Sequence, residues 1–294
     1  MSRDYEPEPC YGIGPEVGSG YRAAVAGLAP GSVLAVDGSA GVDWATVVAG
    51  IRAALELPVK PLDLREHFAA WPDILASTES PVLADDPDFA PLSQSTLADF
   101  FTDLPVVDAI ADAVTVVFGP GAALVGHDRL WYAELPKRYG EAALTSGTGR
   151  NLGQPAGAGP ATTRRLFYID WPILDRHRDD IVTEVDVWLD VQDPTAPAWL
   201  PGPALRVALA ELAARPFRTR PTFNTTSWGG HWAQEQLGVN RGAANTALGY
   251  ELIAPESGIL LGDPDGPRVE VPLQVLVTQH PEQVLGTAVH DRFG

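Results

Sequence analysis

Residues 33–49 read VLAVDGSAGVDWATVVA, and this stretch decides the fold. Its first four residues, Val33–Val36, are apolar and predict a buried strand. The segment Gly38–Gly41 then predicts a tight turn, and Asp43 is a typical N-cap residue for a helix that begins next to it. The apolar residues from Trp44 to Leu55 recur at helical spacing. A strand, a glycine turn and a helix in this order form the first unit of an α/β protein.

The turn matches the phosphate-binding P-loop only in part. The P-loop pattern requires glycine, four residues, a second glycine, lysine, and then serine or threonine. Gly38 fits the first position, and Gly41 lies inside the loop. Asp43, Trp44 and Ala45 stand where the second glycine, the lysine and the hydroxyl residue belong. The stretch is therefore a degenerate form of the loop.

These replacements remove the groups that handle nucleotide phosphates. No lysine neutralises the phosphates, and Thr46 brings its hydroxyl one place late for a magnesium ion. Asp43 would put a carboxylate at the positive end of the helix dipole, where a phosphate would otherwise bind. We therefore predict a kinase-like scaffold without nucleotide chemistry. Because a lone glycine turn is weak evidence, an ordinary βα unit with such a turn remains an alternative.

Composition and charge exclude several classes of protein. The chain has 294 residues, of which 45% are hydrophobic and 20% charged, so it can bury a core and is globular by composition. The formal net charge of −18 argues against nucleic acid and against anionic membranes as partners. Cys10 is the only cysteine, so no disulfide within the chain is expected. No apolar run resembles a signal peptide or a membrane span, which predicts a cytoplasmic location.

Strand and helix patterns alternate through the first two thirds of the chain. This alternation predicts a three-layered α/β fold whose sheet is mostly parallel, with residues 1–18 as a surface arm. From Arg215 onward, short strands joined by glycine and proline turns predict a β-rich extension. We therefore place a boundary there, with an α/β domain over residues 1–214 and a β-rich segment over 215–294. The predicted elements are helices at Tyr21–Leu28, Val106–Ala113, Lys137–Leu144, Pro172–Asp180 and Pro203–Ala214, and strands at Val59–Leu64, Val114–Phe118, Leu130–Leu135, Leu166–Asp170, Val185–Leu189, Ala247–Ala254, Gly258–Leu261 and Arg268–Val271.

Few polar residues suggest a site by pattern alone, and no catalytic residue is assigned. The acidic turn around Asp85 could hold a metal, but a solvated loop explains it better. We interpret His177 as part of an exposed helix end. Asp170 and Asp175 would lie at the carboxyl edge of the sheet, where open α/β folds bind ligands, although helix capping also explains them.

Several stretches together resemble one family over nearly the whole chain. They include LFYIDWPILDRHR at residues 166–178 and TSWGGHWAQEQLG at residues 226–238. The resemblance is to bacterial class I mannose-6-phosphate isomerase-like proteins with a uridine-kinase-like region before a cupin isomerase domain. It implies a P-loop kinase-like first domain, a pseudokinase, followed by the start of a cupin domain. It also implies a role in carbohydrate metabolism.

The chain departs from that family at the metal site. In the resembling proteins, a glutamine, two histidines and a glutamate of the cupin strands hold a divalent metal such as zinc. No stretch of this sequence matches that strand, so we expect no metal or other cofactor in this chain and place the ligands beyond Gly294. Gln279 and His280 look similar to the ligand pair, but adjacent strand residues point to opposite faces. A second chain or a second copy is expected to complete the β-rich part.

The second part offers one candidate sugar site. Trp228, Gly229 and Gly230 could form a wall of a sugar-phosphate pocket, because paired glycines let the backbone come close to a ligand. Glu251 resembles a position near the isomerase cleft. A packed turn and a structural glutamate explain these four residues equally well.

These observations lead to one functional expectation with two alternatives. We expect a mannose-6-phosphate isomerase-family protein of sugar-phosphate metabolism that lacks isomerase activity on its own. The first alternative is a nucleoside or small-molecule kinase that uses an unusual phosphate loop. The second is a non-catalytic regulatory or assembly module.

Overall fold

A computed structural model describes residues 10–12, 17–86, 89–215, 219–223, 247–252 and 258–285. For residues 219–223 and 247–252 it describes the backbone only. The described strands are β1 (Cys10–Tyr11), β2 (Gly18–Ser19), β3 (Val33–Gly38), β4 (Val59–Asp63), β5 (Val114–Phe118), β6 (Arg129–Glu134), β7 (Val187–Asp190), β8 (Ala198–Pro201), β9 (Thr219–Phe223), β10 (Ala247–Leu252), β11 (Gly258–Gly262) and β12 (Arg268–Pro272).

The described α-helices connect and cover these strands. They are α1 (Tyr21–Ala24), α2 (Trp44–Ala54), α3 (Trp71–Thr78), α4 (Lys137–Thr145), α5 (Thr163–Arg165), α6 (Trp171–Ile181), α7 (Gly202–Ala213), α8 (Leu273–Gln279) and α9 (Pro281–Leu285). None of them is long and apolar enough to cross a lipid bilayer.

The central sheet has seven strands in the order β2-β8-β7-β6-β3-β5-β4. Strands β4, β5, β3, β6 and β7 run parallel, whereas β8 and β2 are antiparallel to their neighbours. This confirms the prediction of a mixed α/β fold with a mostly parallel sheet. Two smaller sheets pair β1 with β11 and β12, and β9 with β10.

Strand β3 shows why elements pack on both faces of the sheet. Every residue of β3 is buried, and its side chains alternate between two hydrophobic clusters. Val33 and Ala35 face the cluster that includes α7, whereas Leu34 and Val36 face the cluster that includes α2. A strand that is apolar on both faces is typical of a parallel sheet covered on both sides.

The C-terminal elements share a core with the central sheet. Ile259 and Leu261 of β11 and Val271 of β12 lie in the same buried cluster as Trp188 of β7 and Leu205 of α7. The boundary placed near Arg215 thus separates two segments of sequence whose described residues pack together.

A partly buried ion pair also joins these two segments. Arg138 of α4 donates two hydrogen bonds to the carboxylate of Glu270 in β12, each with a donor–acceptor distance of 2.8 Å. The backbone N–H of Glu270 donates to Asp190 at the end of β7, at 2.8 Å. Two charge-assisted bonds in parallel fix the orientation of β12 against the sheet edge.

Residues 166–170 form a helical turn, and the predicted strand over Leu166–Asp170 is wrong. The segment is a π-helical turn that runs directly into α6. Leu166, Ile169 and Ile173 are all buried at helical spacing. A short apolar run is compatible with a strand and with a buried helix. In this protein, tertiary contacts stabilise the helix.

Three other expectations also differ from the structure. Residues 106–113 form an irregular segment that ends in a turn, and the predicted helix there is absent. Val106, its first residue, is 89% exposed and therefore does not pack against the core. The helix predicted over Tyr21–Leu28 is an α-turn followed by a 3-10 turn over Val25–Gly27. Within the segment expected to be a surface arm, Cys10–Tyr11 and Gly18–Ser19 pair with strands.

Candidate functional site

The carboxyl ends of the parallel strands surround a cavity of about 840 Å³. Strands β3 and β6 are neighbours, but the chain leaves β3 toward β4 on one side and leaves β6 toward β7 on the other. The connections therefore diverge between β3 and β6. Open α/β sheets bind their ligands at such a topological switch point, outside the carboxyl ends of the strands. Residues 39–41, directly after β3, line this cavity.

The glycine turn after β3 is shaped by close packing of two strands. A Cβ atom at Gly38 would lie 2.3 Å from the carbonyl oxygen of Ala133 in β6, so no larger residue fits there. Gly41 is less constrained, since its Cβ would meet only Leu135 at 3.4 Å. The close packing of β3 against β6 therefore explains why residue 38 is glycine, independently of any phosphate binding.

Asp43 caps helix α2, as the sequence predicted. Its carboxylate accepts from the backbone N–H of Thr46 at 3.1 Å and from the Thr46 hydroxyl at 2.7 Å. These hydrogen bonds lower the pKa of Asp43 and keep the carboxylate ionised. The hydroxyl that follows one place late is thus engaged by the carboxylate at the helix start.

Trp44 occupies the core and not the site. Its side chain is 1% exposed and packs against Phe118, with 6.2 Å between the ring centroids. The side chain at the position of the P-loop lysine therefore lies between α2 and the sheet.

Below the turn, Asp37 lies next to the last residue of β3 and is a fully buried carboxylate. It accepts from the backbone N–H groups of Gly38, Gly121 and Ala123 at 2.7, 3.2 and 2.8 Å. Its Oδ2 atom also lies 2.8 Å from Nε2 of His177 in α6. His177 is buried, so the interpretation of this histidine as an exposed helix end is wrong. Asp37 ties the turn after β5 and helix α6 to the central strand.

Four ionisable side chains form the wall of the cavity nearest to β6. Asp175 of α6 accepts from Nζ of Lys137 at 2.5 Å and from Nη1 of Arg178 at 3.0 Å. Glu134, the last residue of β6, is buried beside them. Burial raises the pKa of Glu134 to about 8, an effect that the nearby charge of Arg178 only partly offsets. The carboxyl of Glu134 is therefore mostly neutral at pH 7, next to a paired anion and two cations.

A second wall is built around Asp170 at the start of α6. Its Oδ2 atom accepts from the Asn151 side chain at 2.7 Å and from the backbone N–H of Leu152 at 3.1 Å. The expected capping role of Asp170 is wrong, because these partners lie in the loop after α4. Burial raises the pKa of Asp170 to about 6, against the opposing charge of Arg165. Arg165 in turn lies over the ring of Trp71, 4.8 Å from its centroid.

The predicted phosphate-loop residues do not all reach the cavity. Gly41 lines it, whereas the other predicted positions, Gly38, Asp43, Trp44 and Thr46, do not. Trp228, Gly229 and Gly230 lie outside the described residues, and Glu251 is described by its backbone in β10 only. Gln279 and His280 end α8, where the Gln279 side chain donates to the carbonyl oxygen of Asp179. Within the described ranges, no three His, Cys, Asp or Glu residues cluster as metal ligands.

Sequence reasoning missed Glu134, Lys137 and Arg178. Glu134 could have been found, because it directly ends a predicted buried strand at the edge where ligands bind. The sequence does not single out Lys137 or Arg178 as site residues, because lysine and arginine are common on the exposed faces of helices. Asp170 and Asp175, which the sequence predicted at the carboxyl edge of the sheet, both line the cavity.

One protein family matches the chain, and no curated protein does. The family is described as a domain of unknown function (DUF8485), and its match covers residues 20–214. This range includes every residue that lines the cavity and more than half of the chain. The chain therefore belongs to the family described as the domain of unknown function DUF8485.

Proposed function

We propose that the α/β part is a P-loop kinase-like scaffold that binds a small phosphorylated and polyhydroxylated molecule, such as a sugar phosphate, without transferring phosphate. The observation that carries this proposal is the cavity of about 840 Å³ at the switch point, whose wall contains buried ionisable groups. A cavity of this size suits a small-molecule ligand. Buried groups with shifted pKa values in a cleft favour a binding or reactive site.

The sheet order supports the kinase-like scaffold. The strand with the glycine turn is central, and the parallel strands follow the order β4-β5-β3-β6-β7. In chain order this is 2-3-1-4-5, an arrangement typical of nucleotide kinases with a phosphate-binding loop. Helix α2 follows the turn and begins at Trp44, where a P-loop helix would begin.

The chemistry of the turn argues against phosphoryl transfer. The ionised carboxylate of Asp43 occupies the positive end of α2, so it would repel a nucleotide phosphate there. Trp44 supplies no charge and lies in the core. Transfer of a phosphoryl group depends on cations that neutralise the developing charge, and this loop offers none.

The charges of the cavity favour a ligand with one anionic end and neutral hydroxyl groups elsewhere. Arg150 is an exposed cation at the cavity and makes no ion pair with any described residue; its guanidinium donates only to the carbonyl oxygen of Gly149. It is free to bind a phosphate. The other cations of the cavity already contact carboxylates, as Lys137 does with Asp175. Mixed carboxyl and guanidinium groups of this kind suit the hydroxyl groups of a sugar.

The resemblance to mannose-6-phosphate isomerase-like proteins supports a sugar phosphate as the ligand. We propose that the protein acts in sugar-phosphate metabolism and that this chain alone does not interconvert mannose 6-phosphate and fructose 6-phosphate. Moving a proton between adjacent sugar carbons requires a base and a group that stabilises the enediolate, a task done by a metal in the resembling family. No stretch of this sequence matches that metal-binding strand.

Calorimetric titration of the full chain tests the proposal. We expect mannose 6-phosphate or fructose 6-phosphate to bind, unphosphorylated mannose to bind more weakly, and Mg-ATP not to bind at millimolar concentration. Arg150→Gln should weaken sugar-phosphate binding roughly tenfold, since one charge-assisted contact is lost. The matched control is Arg22→Gln, at an exposed position of α1, which should leave binding unchanged. Micromolar affinity for Mg-ATP, or equal affinity for mannose and its phosphate, would contradict the proposal.

A further inference from the structure

The side chain of Glu134 is buried at the cavity without a hydrogen bond to any described residue. Glu134 is 3% exposed, and its Oε2 atom is buried with no partner. Its side chain lines the large cavity and also a second cavity of about 440 Å³ beside α8. Buried polar groups nearly always have a partner, so an unpaired carboxyl beside two cavities indicates that its partner comes from the cavity.

The cations near Glu134 are committed to other carboxylates. Lys137 donates to Asp175, and Arg178 donates to both Asp175 and Asp179. On the far side, Arg138 donates to both carboxylate oxygens of Glu270. Neither Lys137 nor Arg178 donates a hydrogen bond to Oε2 of Glu134.

Burial favours the neutral form of Glu134, whereas the nearby cations Arg178 and Lys137 oppose it. Burial is the larger effect, and it raises the pKa of the side chain to about 8. The charged and titratable groups around it come from five elements and are Asp175, Arg178, Asp190, Lys137, Glu270 and Tyr132. A neutral carboxyl has one O–H donor and a carbonyl acceptor, so it can exchange two hydrogen bonds with one partner.

We propose that Glu134 binds a hydroxyl group of the ligand and exchanges hydrogen bonds with it. A hydroxyl group also has one donor and two acceptor sites, so it complements the neutral carboxyl. An anionic ligand group at this point would meet Asp175, and a cationic one would meet Lys137 and Arg178. The end of the ligand at Glu134 is therefore uncharged, while its phosphate lies toward Arg150. This inference rests on the proposed binding of a sugar phosphate.

Ionisation of Glu134 should then weaken binding, because the carboxylate loses its donor. With a pKa of about 8 in the free protein and binding to the neutral form only, affinity should fall roughly 30-fold between pH 7.0 and pH 9.5. Glu134→Gln keeps one donor and one acceptor without a titrating proton. This variant should bind within about threefold of the wild type at pH 7.0 and lose the 30-fold pH dependence.

Calorimetric titration with mannose 6-phosphate at both pH values measures these affinities. Glu134→Ala removes the contact and should weaken binding roughly tenfold at pH 7.0. Glu141→Gln makes the same chemical change at an exposed position of α4 and should keep the wild-type pH dependence. Thermal melting of each variant shows that it is folded; if Glu134→Ala does not fold, the comparison of wild type with Glu134→Gln decides the test.

The outcomes separate this inference from the proposed function. If the wild type binds mannose 6-phosphate and Glu134→Gln shows the same pH dependence, Glu134 does not bind the hydroxyl, while the proposed function stands. If the wild type binds with equal affinity at both pH values, the inference is also overturned. If neither mannose 6-phosphate nor fructose 6-phosphate binds the wild type, the proposed function fails, and the inference fails with it.

Discussion

At the scale of single residues, Asp37 shows how one buried carboxylate can join three parts of the fold. It accepts from three backbone N–H groups, in the turn after β3 and the turn after β5, and contacts His177 in α6. In the sequence, Asp37 is only the residue that follows the predicted apolar strand Val33–Val36. Apart from the neighbouring Gly38, its partners are separated from it by 84 to 140 positions, so only the folded chain brings them together.

We predict that Asp37→Ala destabilises the protein by about 3–5 kcal/mol, since it leaves several buried donors without an acceptor. Urea denaturation followed by circular dichroism measures the free energy of unfolding. The matched control is Asp112→Ala at an exposed turn, which should change it by less than about 0.5 kcal/mol. Similar small effects at both positions would show that the buried contacts of Asp37 are not needed.

The contact between His177 and Asp37 should make stability depend on pH. Burial alone would lower the pKa of His177, but the charge of Asp37 and the hydrogen bond to it outweigh burial and raise the pKa. The folded state therefore holds the proton more tightly than the unfolded state. The resulting stabilisation is fully present below about pH 6.5 and is lost as the pH rises through the pKa of the folded state.

We predict that the stability advantage of the wild type over His177→Gln is largest below pH 6.5 and shrinks above it. Urea denaturation of both proteins from pH 5.5 to 9 measures this difference, and subtraction removes the effects of groups that the two proteins share. An advantage that stays constant or grows toward pH 9 would contradict a protonated His177.

At the scale of elements, the start of α2 is set by its cap. The Asp43 carboxylate satisfies a backbone N–H that has no partner within the helix, and it complements the helix dipole. The same carboxylate lies where a phosphate would bind. Helix stability and nucleotide binding therefore place opposite demands on this one position, and in this chain the cap occupies it.

We predict that Asp43→Ala lowers the free energy of unfolding by about 1 kcal/mol, whereas Asp43→Asn, which can still cap, changes it by a few tenths at most. Trp44→Lys should not create nucleotide binding, because that side chain lies in the core; it should instead destabilise the protein by about 3 kcal/mol or more. Urea denaturation and calorimetric titration with Mg-ATP measure the two effects. Mg-ATP binding by Trp44→Lys would show that the loop keeps a functional phosphate geometry.

At the scale of the whole molecule, the β11–β12 hairpin completes the core on one face of the sheet. The prediction that residues 1–214 fold as an independent domain remains to be tested by expressing that fragment. The family match ends at Ala214, but the hairpin buries Leu261 and Val269 completely against the sheet. Removing it would expose apolar surface to water and leave Arg138 without the carboxylate of Glu270.

We predict that the fragment 1–214 melts at a lower temperature than the full chain. In the full chain, Leu261→Ala should cost about 2–5 kcal/mol. The matched control is Leu92→Ala, whose side chain is 58% exposed and which should cost less than about 1 kcal/mol. Differential scanning calorimetry measures the melting temperatures, and urea denaturation measures the point variants. A fragment as stable as the full chain, together with a small effect of Leu261→Ala, would show that the hairpin does not contribute to the core.

The sequence by itself determined the local elements around β3. The apolar run Val33–Val36, the turn at Gly38 and the cap at Asp43 are each decided by residues within a few positions of one another, so their strand, turn and helix could be predicted. The alternation of such units also gave the α/β class, because a strand that is apolar on both faces must be covered on both sides.

Only the tertiary structure decided what the ambiguous segments and the site would be. The run Leu166–Asp170 is helical, and its Ile169 is buried in a cluster with Ile74 and Phe100, which lie far away in the chain. Burial raises the pKa of Glu134 to about 8, while Asp175 of α6, which is 41 positions later in the chain, accepts from the nearby cations. Burial and charge pairing act between residues that are distant in sequence, so neither can be deduced from local spacing alone.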